Sequence, residues 1–297
     1  MMFFSRLKQS SVPSRGSVAI IGSSPIAFLL ADIIQTNNFK TTLVVSSKEL
    51  AQNYLPKFLT IQSLSLQNHQ VSFNYSDTLP VVDFCIIASK PEKAKTDVLL
   101  LSKNILNEIP VVNFSHLYNK DIIKELDISS VYPGYFNSWL ISEKNTLKLL
   151  ERKAEIHIQG TAEKITPLLP LFENSIVNTS TISPNKKYLW HYLIPYFLCN
   201  LILLGKPGQN LLSVLQQQDY REQINTAAKE LCCIAKAQKE SVSETDIFSK
   251  LYNVPNTYKT SISSIYSFQA FISLIPEINK FETPALYELL SSVLNKY

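Results

Sequence analysis

The chain has 297 residues, of which 45% are hydrophobic and 18% are charged, with 28 Lys and Arg against 24 Asp and Glu. This apolar content excludes bulk disorder, and the length allows one large domain or two moderate ones. The net charge of +4 is too small to indicate nucleic-acid binding, so we expect no nucleic-acid partner.

The first sixteen residues are predicted to form a flexible N-terminal tail. Arg6, Lys8 and Arg15 precede the first acidic residue, Asp32, and the apolar part of this segment covers only four residues. That part is too short for the core of a signal peptide. A start that is rich in Ser and Arg and has no acids is also typical of a transit peptide, so a simple tail and a targeting segment both stay open.

Residues 17–183 are predicted to form a Rossmann-like α/β domain. A helix is predicted over Ser24–Asn38, with Ser24 as its N-cap and Pro25 in its first turn. Short apolar runs that alternate with helical segments predict a mostly parallel sheet covered on both faces. A second helix is predicted over 91–106, and the strand candidates are 17–22, 41–47, 59–67, 69–75, 81–89, 110–115, 130–142 and 154–160.

Residues 184–297 are predicted to form an all-helical domain, reached through a Ser/Thr/Pro/Asn-rich linker over Thr179–Lys186. The most apolar stretch, Tyr188–Gly205, is interrupted by His191, Pro195 and Asn200, so we expect a buried helix and no membrane partner. The predicted helices cover 187–204, 220–240, 263–275 and 283–297.

The four cysteines indicate reduced thiols in a core. Cys85, Cys199, Cys232 and Cys233 do not have the spacing of a zinc or redox motif. We therefore expect a cytoplasmic protein without a bound metal.

The turn after the first strand, GSSPIA, occupies the place of the Rossmann motif G-x-G-x-x-G/A. Gly22 fills the first position, Ser24 the second and Ala27 the third. Ser24 adds a side chain where phosphate should approach, and Pro25 removes a backbone donor from the start of the helix. A nucleotide site and a purely structural turn both remain open on this motif.

The end of the second strand favours the phosphorylated cofactor if a nucleotide binds. An acid there would bind the ribose of NAD, whereas Ser46, Ser47 and Lys48 stand before Glu49 in this chain. Hydroxyl and basic groups suit the additional phosphate of NADP(H), so we expect Ser46 and Lys48 to contact it.

Six segments together resemble the 2-dehydropantoate 2-reductase (ketopantoate reductase) family over most of the chain. They are SVAIIGSSPIA, DFCIIASKPEKA, PVVNFSHLYN, AEIHIQG, NKKYLWHYLIPYFLCNLILLGKPGQNLL and KFETPALYELLSSVL. The resemblance implies a Rossmann domain followed by a helical substrate and dimerisation domain of the 6-phosphogluconate dehydrogenase C-terminal type. It also implies reduction of a small-molecule 2-oxo acid by NADPH, as in the ketopantoate step of pantothenate biosynthesis, and allows a homodimer.

The resemblance also assigns individual residues. Lys187 matches the catalytic Lys at the start of the second domain, and Lys90 matches a Lys near the nucleotide. The substrate-binding candidates are His191, where the family has Asn, together with His116 (or Asn113, if a gap is placed) and Ser264, where the family has an acid.

Two departures from the family keep a second function open. The second glycine of the turn and the acid of the helical domain are both missing, so the chain is alternatively a catalytically degenerate relative that acts as a binding or interaction module. Other two-domain dehydrogenases, of opine or hydroxyacid type, form a third class. The remaining histidines, His69 and His157, lie in predicted surface strands and carry no hypothesis.

Overall fold

The computed structural model describes residues 14–47, 55–63, 68–90, 93, 95–97, 99, 109–115, 130–143, 145–150, 152–174, 176–183, 189–206, 209–237, 242–253 and 282–294. All but the last three residues of the predicted tail lie outside these ranges, as do the helix predicted over 263–275 and most of the helix predicted over 91–106.

The described part of the chain contains an eight-stranded and a four-stranded sheet. In the larger sheet the strand order is β12-β11-β8-β7-β6-β1-β2-β5, and among these strands the β8–β11 pair alone is antiparallel. The predicted mostly parallel, Rossmann-like sheet is therefore confirmed. The strands are β1 (Ser17–Ile21), β2 (Lys40–Val44), β3 (Phe58–Ser63), β4 (His69–Ser72), β5 (Tyr75–Ser76), β6 (Phe84–Ile87), β7 (Val111–Asn113), β8 (Val131–Asn137), β9 (Leu140–Glu143), β10 (Thr146–Leu149), β11 (Ala154–Gln159) and β12 (Val177–Ile182).

The order of the central strands reverses between β1 and β6. From β1 the chain passes outward to β2 and β5, and it then returns to the other side of β1 and continues through β6, β7 and β8. Ligands of open α/β sheets bind outside the carboxyl ends of the strands at such a reversal. The sheet therefore places its crevice at the ends of β1 and β6.

Among the described residues of the strands predicted over 59–67 and 69–75, only Tyr75, at the start of β5, belongs to the main sheet. β3 and β4 form a separate four-stranded sheet with β9 and β10, in the order β4-β3-β10-β9. This sheet packs on helix α1 (Pro25–Thr36), where the Phe28 and Phe73 rings lie 5.2 Å apart and Gln35 Nε2 donates to the Ser72 carbonyl at 3.3 Å. The second sheet therefore packs on the part of α1 that carries Phe28 and Gln35.

The predicted linker is wrong in its first half. Residues 179–182 belong to β12, which pairs with β11 over its whole length. Its sequence resembles a loop because β12 is an edge strand with exposed Asn178, Ser180 and Thr181 between the buried ends Val177 and Ile182. The next described residues, from 189 onward, are helical.

The second half of the described chain is helical, as predicted. α2 (Ala162–Ile165) and a 3₁₀ turn (Thr166–Leu171) still pack on the sheet, and the following helices surround their own apolar core. These helices are α3 (Leu189–Gly205), α4 (Leu211–Leu215), α5 (Gln218–Ala237), α6 (Glu244–Tyr252) and α7 (Pro284–Leu294).

The sheet part and the helical part meet at the connection between β8 and β9 and at β9 itself. The Trp139 ring stacks on Tyr196 of α3 at 6.3 Å, and Ile141 packs on the helical core. α3 is the buried helix predicted from the apolar stretch, with Leu198 and Cys199 fully enclosed. Within the described part of the chain, no helix has the length and apolarity that crossing a membrane requires.

Three of the four cysteines are core residues, as predicted. Cys85, Cys199 and Cys232 are buried, and burial raises the pKa of Cys85 to about 12. Cys233 is exposed, so the prediction of a core position is wrong for this residue.

Candidate functional site

The carboxyl ends of β1, β2, β6 and β7 converge in the crevice of the main sheet. Backbone hydrogen bonds continue past the strand ends, from Gly22 N–H to the Val44 carbonyl at 2.9 Å and from Ala88 N–H to the Ile21 carbonyl at 2.8 Å. Phe114 N–H likewise donates to the Ile87 carbonyl at 2.8 Å. The loops that follow these strands are therefore held side by side.

Gly22 makes the turn that leads from β1 into α1. Its φ of +115° lies in the region that favours glycine, and a Cβ at this position would lie 2.6 Å from Ser89 Cα and 2.7 Å from the Ala88 carbonyl oxygen. The turn thus passes directly against the end of β6. This close approach has the shape of a dinucleotide turn, in which the first glycine allows the chain to bend sharply.

Ser24 is the N-cap of α1, as predicted, and its hydroxyl accepts a hydrogen bond from Ala27 N–H at 3.1 Å. Pro25 has no N–H, and the Ala27 N–H is already bonded within the helix. Two of the first three backbone positions of α1 therefore offer no free donor to an anion. The turn from β1 into α1 therefore has the backbone shape of a dinucleotide site, but it offers fewer N–H donors to the phosphates than a glycine-rich turn does.

Serines follow each of the four central strands, and sequence reasoning missed two of them. Ser24 follows β1 and Ser46 follows β2, while Ser89 follows β6 and Ser115 follows β7. Ser115 Oγ donates to the Ser89 carbonyl at 3.0 Å, and the Ser89 hydroxyl is buried without a hydrogen-bond partner among the described residues. The available signal was a serine two or three residues after the end of each of these strands.

The structure places five of the predicted site residues at this crevice. Gly22, Ser24 and Ala27 form the turn and the first turn of α1, Ser46 follows β2, and Lys90 directly follows Ser89. Asn113, the alternative to His116, is buried at the end of β7, where its Oδ1 accepts from Ser115 N–H at 2.9 Å.

The side chains of the remaining predicted site residues are not among the described ones. His191 is a residue of α3, but its side chain is not among the described ones. The residues that lie outside the described ranges are Lys48, His116, Lys187 and Ser264.

A hydrogen bond between a buried carboxylate of α1 and a histidine of the second sheet was also missed. The Asp32 carboxylate is 5% exposed and lies 2.9 Å from Nε2 of His69, which begins β4 of the second sheet. Burial raises the pKa of Asp32, while the hydrogen bond and charge of His69 act in the opposite direction. This pair fastens the second sheet to the helix that begins at the candidate site.

No family model matches the chain, and no curated protein sequence does. Solved structures with the same fold do exist. A 2-dehydropantoate 2-reductase from Geobacter metallireducens is similar at 13% sequence identity with a TM-score of 0.75, and 95% of this chain and 100% of that chain are covered.

Two further solved structures have a similar fold over almost the whole chain. A dimeric ketopantoate reductase from Staphylococcus aureus is similar at 16% identity with a TM-score of 0.71, covering 95% of this chain and all of that one. A D-mandelate dehydrogenase, solved in a ternary structure with NADH and anilino(oxo)acetate, is similar at 12% identity with a TM-score of 0.70, covering 94% and 97%. At these identities the likeness concerns the fold, and the resemblance seen in the sequence is confirmed at that level: the chain has the fold of the ketopantoate reductases.

Proposed function

We propose that this chain is an oxidoreductase that reduces a small 2-oxo acid with a nicotinamide dinucleotide. The observation that carries the proposal is the correspondence, over almost the whole chain, with reductases of this chemistry. The Gly22 turn at the sheet reversal supports it, because this is the place where such folds bind nucleotides. A division into a nucleotide domain over 17–183 and a substrate and dimerisation domain over 184–297 belongs to the same proposal.

Residues at the ends of β1, β2 and β6 would hold the cofactor. The turn through Gly22, Ser24 and Ala27 would face its phosphates, and Lys90 would add a positive charge beside them. When bound, the cofactor would supply the hydride. Ser46 and Lys48 favour NADP(H) over NAD(H), because a hydroxyl and an ammonium group can both donate to an additional phosphate.

At the substrate, Lys187 would donate to the ketone oxygen as it becomes an alkoxide and would supply its proton. His191, His116 and Ser264 are the substrate contacts of this proposal. A homodimer is also proposed, since the Staphylococcus aureus ketopantoate reductase of the same fold is described as dimeric.

One observation favours the alternative of a degenerate relative that binds a partner or ligand without catalysis. The Ser24 hydroxyl accepts the hydrogen bond of the Ala27 N–H, and Pro25 has no N–H. Two of the first three backbone positions of α1 therefore offer no donor to a phosphate. A protein that had lost its cofactor would retain the fold and could close the turn in this way.

A cofactor titration separates the two functions. For the reductase we expect NADPH, at micromolar to sub-millimolar concentration, to quench tryptophan fluorescence or to raise the melting temperature, and we expect NADH to do so less. A ligand at 100 times its Kd stabilises the folded state by about 2.7 kcal/mol. If neither nucleotide has an effect up to millimolar concentration, the reductase proposal fails and the binding module remains.

Substituting Ser24→Gly is expected to strengthen nucleotide binding. The change removes the side chain at the point of closest approach and releases the Ala27 N–H toward the phosphates, while the loss of the N-cap itself costs only a few tenths of a kcal/mol. Fluorescence titration of both variants with NADPH measures the effect. Unchanged or weaker binding would mean that this turn does not contact the phosphates.

A further inference from the structure

A chain of polar side chains crosses β8, β11 and β12 on one face of the main sheet. Ser180 of β12 lies directly opposite His157 of β11, and Glu155, two residues before His157, lies opposite Asn137 of β8. Residues two apart on a strand share a face, so all four side chains point the same way. The opposite face of these strands contributes buried Phe136 and Ile156 to the core.

The distances connect a hydroxyl, an imidazole and a carboxylate in sequence. Ser180 Oγ lies 2.6 Å from His157 Nδ1, and His157 Nε2 lies 3.7 Å from Glu155 Oε2. Asn137 Nδ2 donates to the same Glu155 oxygen at 2.6 Å. A serine hydroxyl within hydrogen-bond reach of an imidazole is the arrangement in which a base activates a nucleophile. The Glu155 carboxylate is too far from Nε2 for a hydrogen bond, so it acts on the imidazole through its charge.

The burial and charge of Ser180, His157 and Glu155 are consistent with this arrangement. Ser180 is exposed, while the His157 side chain is only 16% exposed, so the hydroxyl is accessible and the imidazole is sheltered. The neighbouring His157 imidazole, with a smaller contribution from the Asn137 amide, lowers the pKa of Glu155. Glu155 is therefore a carboxylate at neutral pH and can stabilise positive charge on the imidazole.

We propose that Ser180 is an activated nucleophile that takes up acyl groups from activated carboxylic esters, with His157 as its general base and Glu155 as the group that stabilises the imidazolium. This reactivity is separate from the proposed reduction, because it uses none of the residues assigned to the crevice.

The acylation step balances without an additional reactant. His157 Nδ1 takes the proton of the Ser180 hydroxyl as Oγ forms a bond to the ester carbonyl carbon. The bond from that carbon to the leaving oxygen then breaks, and the leaving group departs as an alkoxide or phenolate. The proton passes from His157 to the leaving group or to water, which leaves an acyl ester on Ser180.

Treatment of the full chain with p-nitrophenyl acetate tests the proposal. We expect acetylation at Ser180, located by mass spectrometry of the peptide that contains it, together with release of p-nitrophenolate. His157→Gln is expected to slow this acetylation by about 10²-fold or more, which is the lower range of general-base effects. Glu155→Gln should slow it by up to about fivefold, because the carboxylate is half exposed.

Ser183→Ala provides the matched control. Ser183 is an exposed serine just beyond the same strand, and its described hydrogen bond is made through its backbone carbonyl, so its loss should leave the acetylation of Ser180 unchanged. Melting curves of all variants establish that each one folds. Acetylation at Ser180 no greater than at Ser183, or an unchanged rate in His157→Gln, would overturn the proposal.

Discussion

Replacing Lys187 by alanine is expected to reduce turnover of a 2-oxo acid by about 10²–10³-fold, while the affinity for NADPH stays nearly unchanged. A donor that acts on the developing alkoxide is worth roughly 3–4 kcal/mol in comparable oxyanion sites, and it contributes in the transition state rather than in cofactor binding. Steady-state kinetics give kcat and KM for the two enzymes, and fluorescence titration gives the Kd of NADPH.

The neighbouring Lys186 is the natural control for this substitution. If both lysines continue the helix predicted from the sequence, their side chains would point about 100° apart, so Lys186→Ala should leave turnover close to that of the unmodified chain. Equal activity of the two variants, or a greater loss in Lys186→Ala, would show that the family's catalytic position does not fall on Lys187. The other proposed substrate contacts, which depend on the same alignment, would then have to be reassigned as well.

The parts of the fold that the sequence predicts are those determined locally. The turn through Gly22 and the start of α1 at Ser24 and Pro25 follow from the conformational preferences of these residues, and the structure reproduces them. The buried strands β1 and β6 are equally predictable, because short β-branched runs have few alternatives in a globular chain.

The parts that were missed depend on residues distant in sequence. β3 pairs with β10 across about 80 residues, and nothing in the sequence of either segment indicates that it pairs with the other. The Asp32–His69 pair joins residues 37 positions apart, so His69 could be recognised as the partner of a buried acid only once the second sheet was in place. The predicted linker over Thr179–Lys186 overlaps the second half of β12, because the exposed residues of this strand are of types that loops also use.

The candidate site shows the same division between local and distant information. The position of Gly22 could be predicted, whereas its contact with Ser89 could not, because that contact requires the parallel pairing of β1 with β6. The serines after β6 and β7 become one group only through the order of the strands. Sequence reasoning therefore located the turn and missed what packs against it.

Replacing Gly22 by alanine is expected to destabilise the protein by about 3 kcal/mol or more, which corresponds to a fall in melting temperature of roughly 6–12 °C. The methyl group would have to occupy a position 2.6 Å from Ser89 Cα and 2.7 Å from the Ala88 carbonyl oxygen, both of which belong to the backbone. The φ of +115° is unfavourable for alanine in any surroundings.

Gly205→Ala at the end of α3 is the matched control for this substitution. Among the described residues outside its own helix, a Cβ there would meet no atom closer than 3.7 Å. Alanine also has the higher helix propensity, so the melting temperature should stay constant or rise slightly. Thermal unfolding followed by circular dichroism compares the two variants. A melting temperature of Gly22→Ala within about 2 °C of that of the unmodified protein would mean that the turn is not packed against the end of β6. The proposal of a nucleotide site at the ends of β1 and β6 would then lose the close backbone contact that supports it.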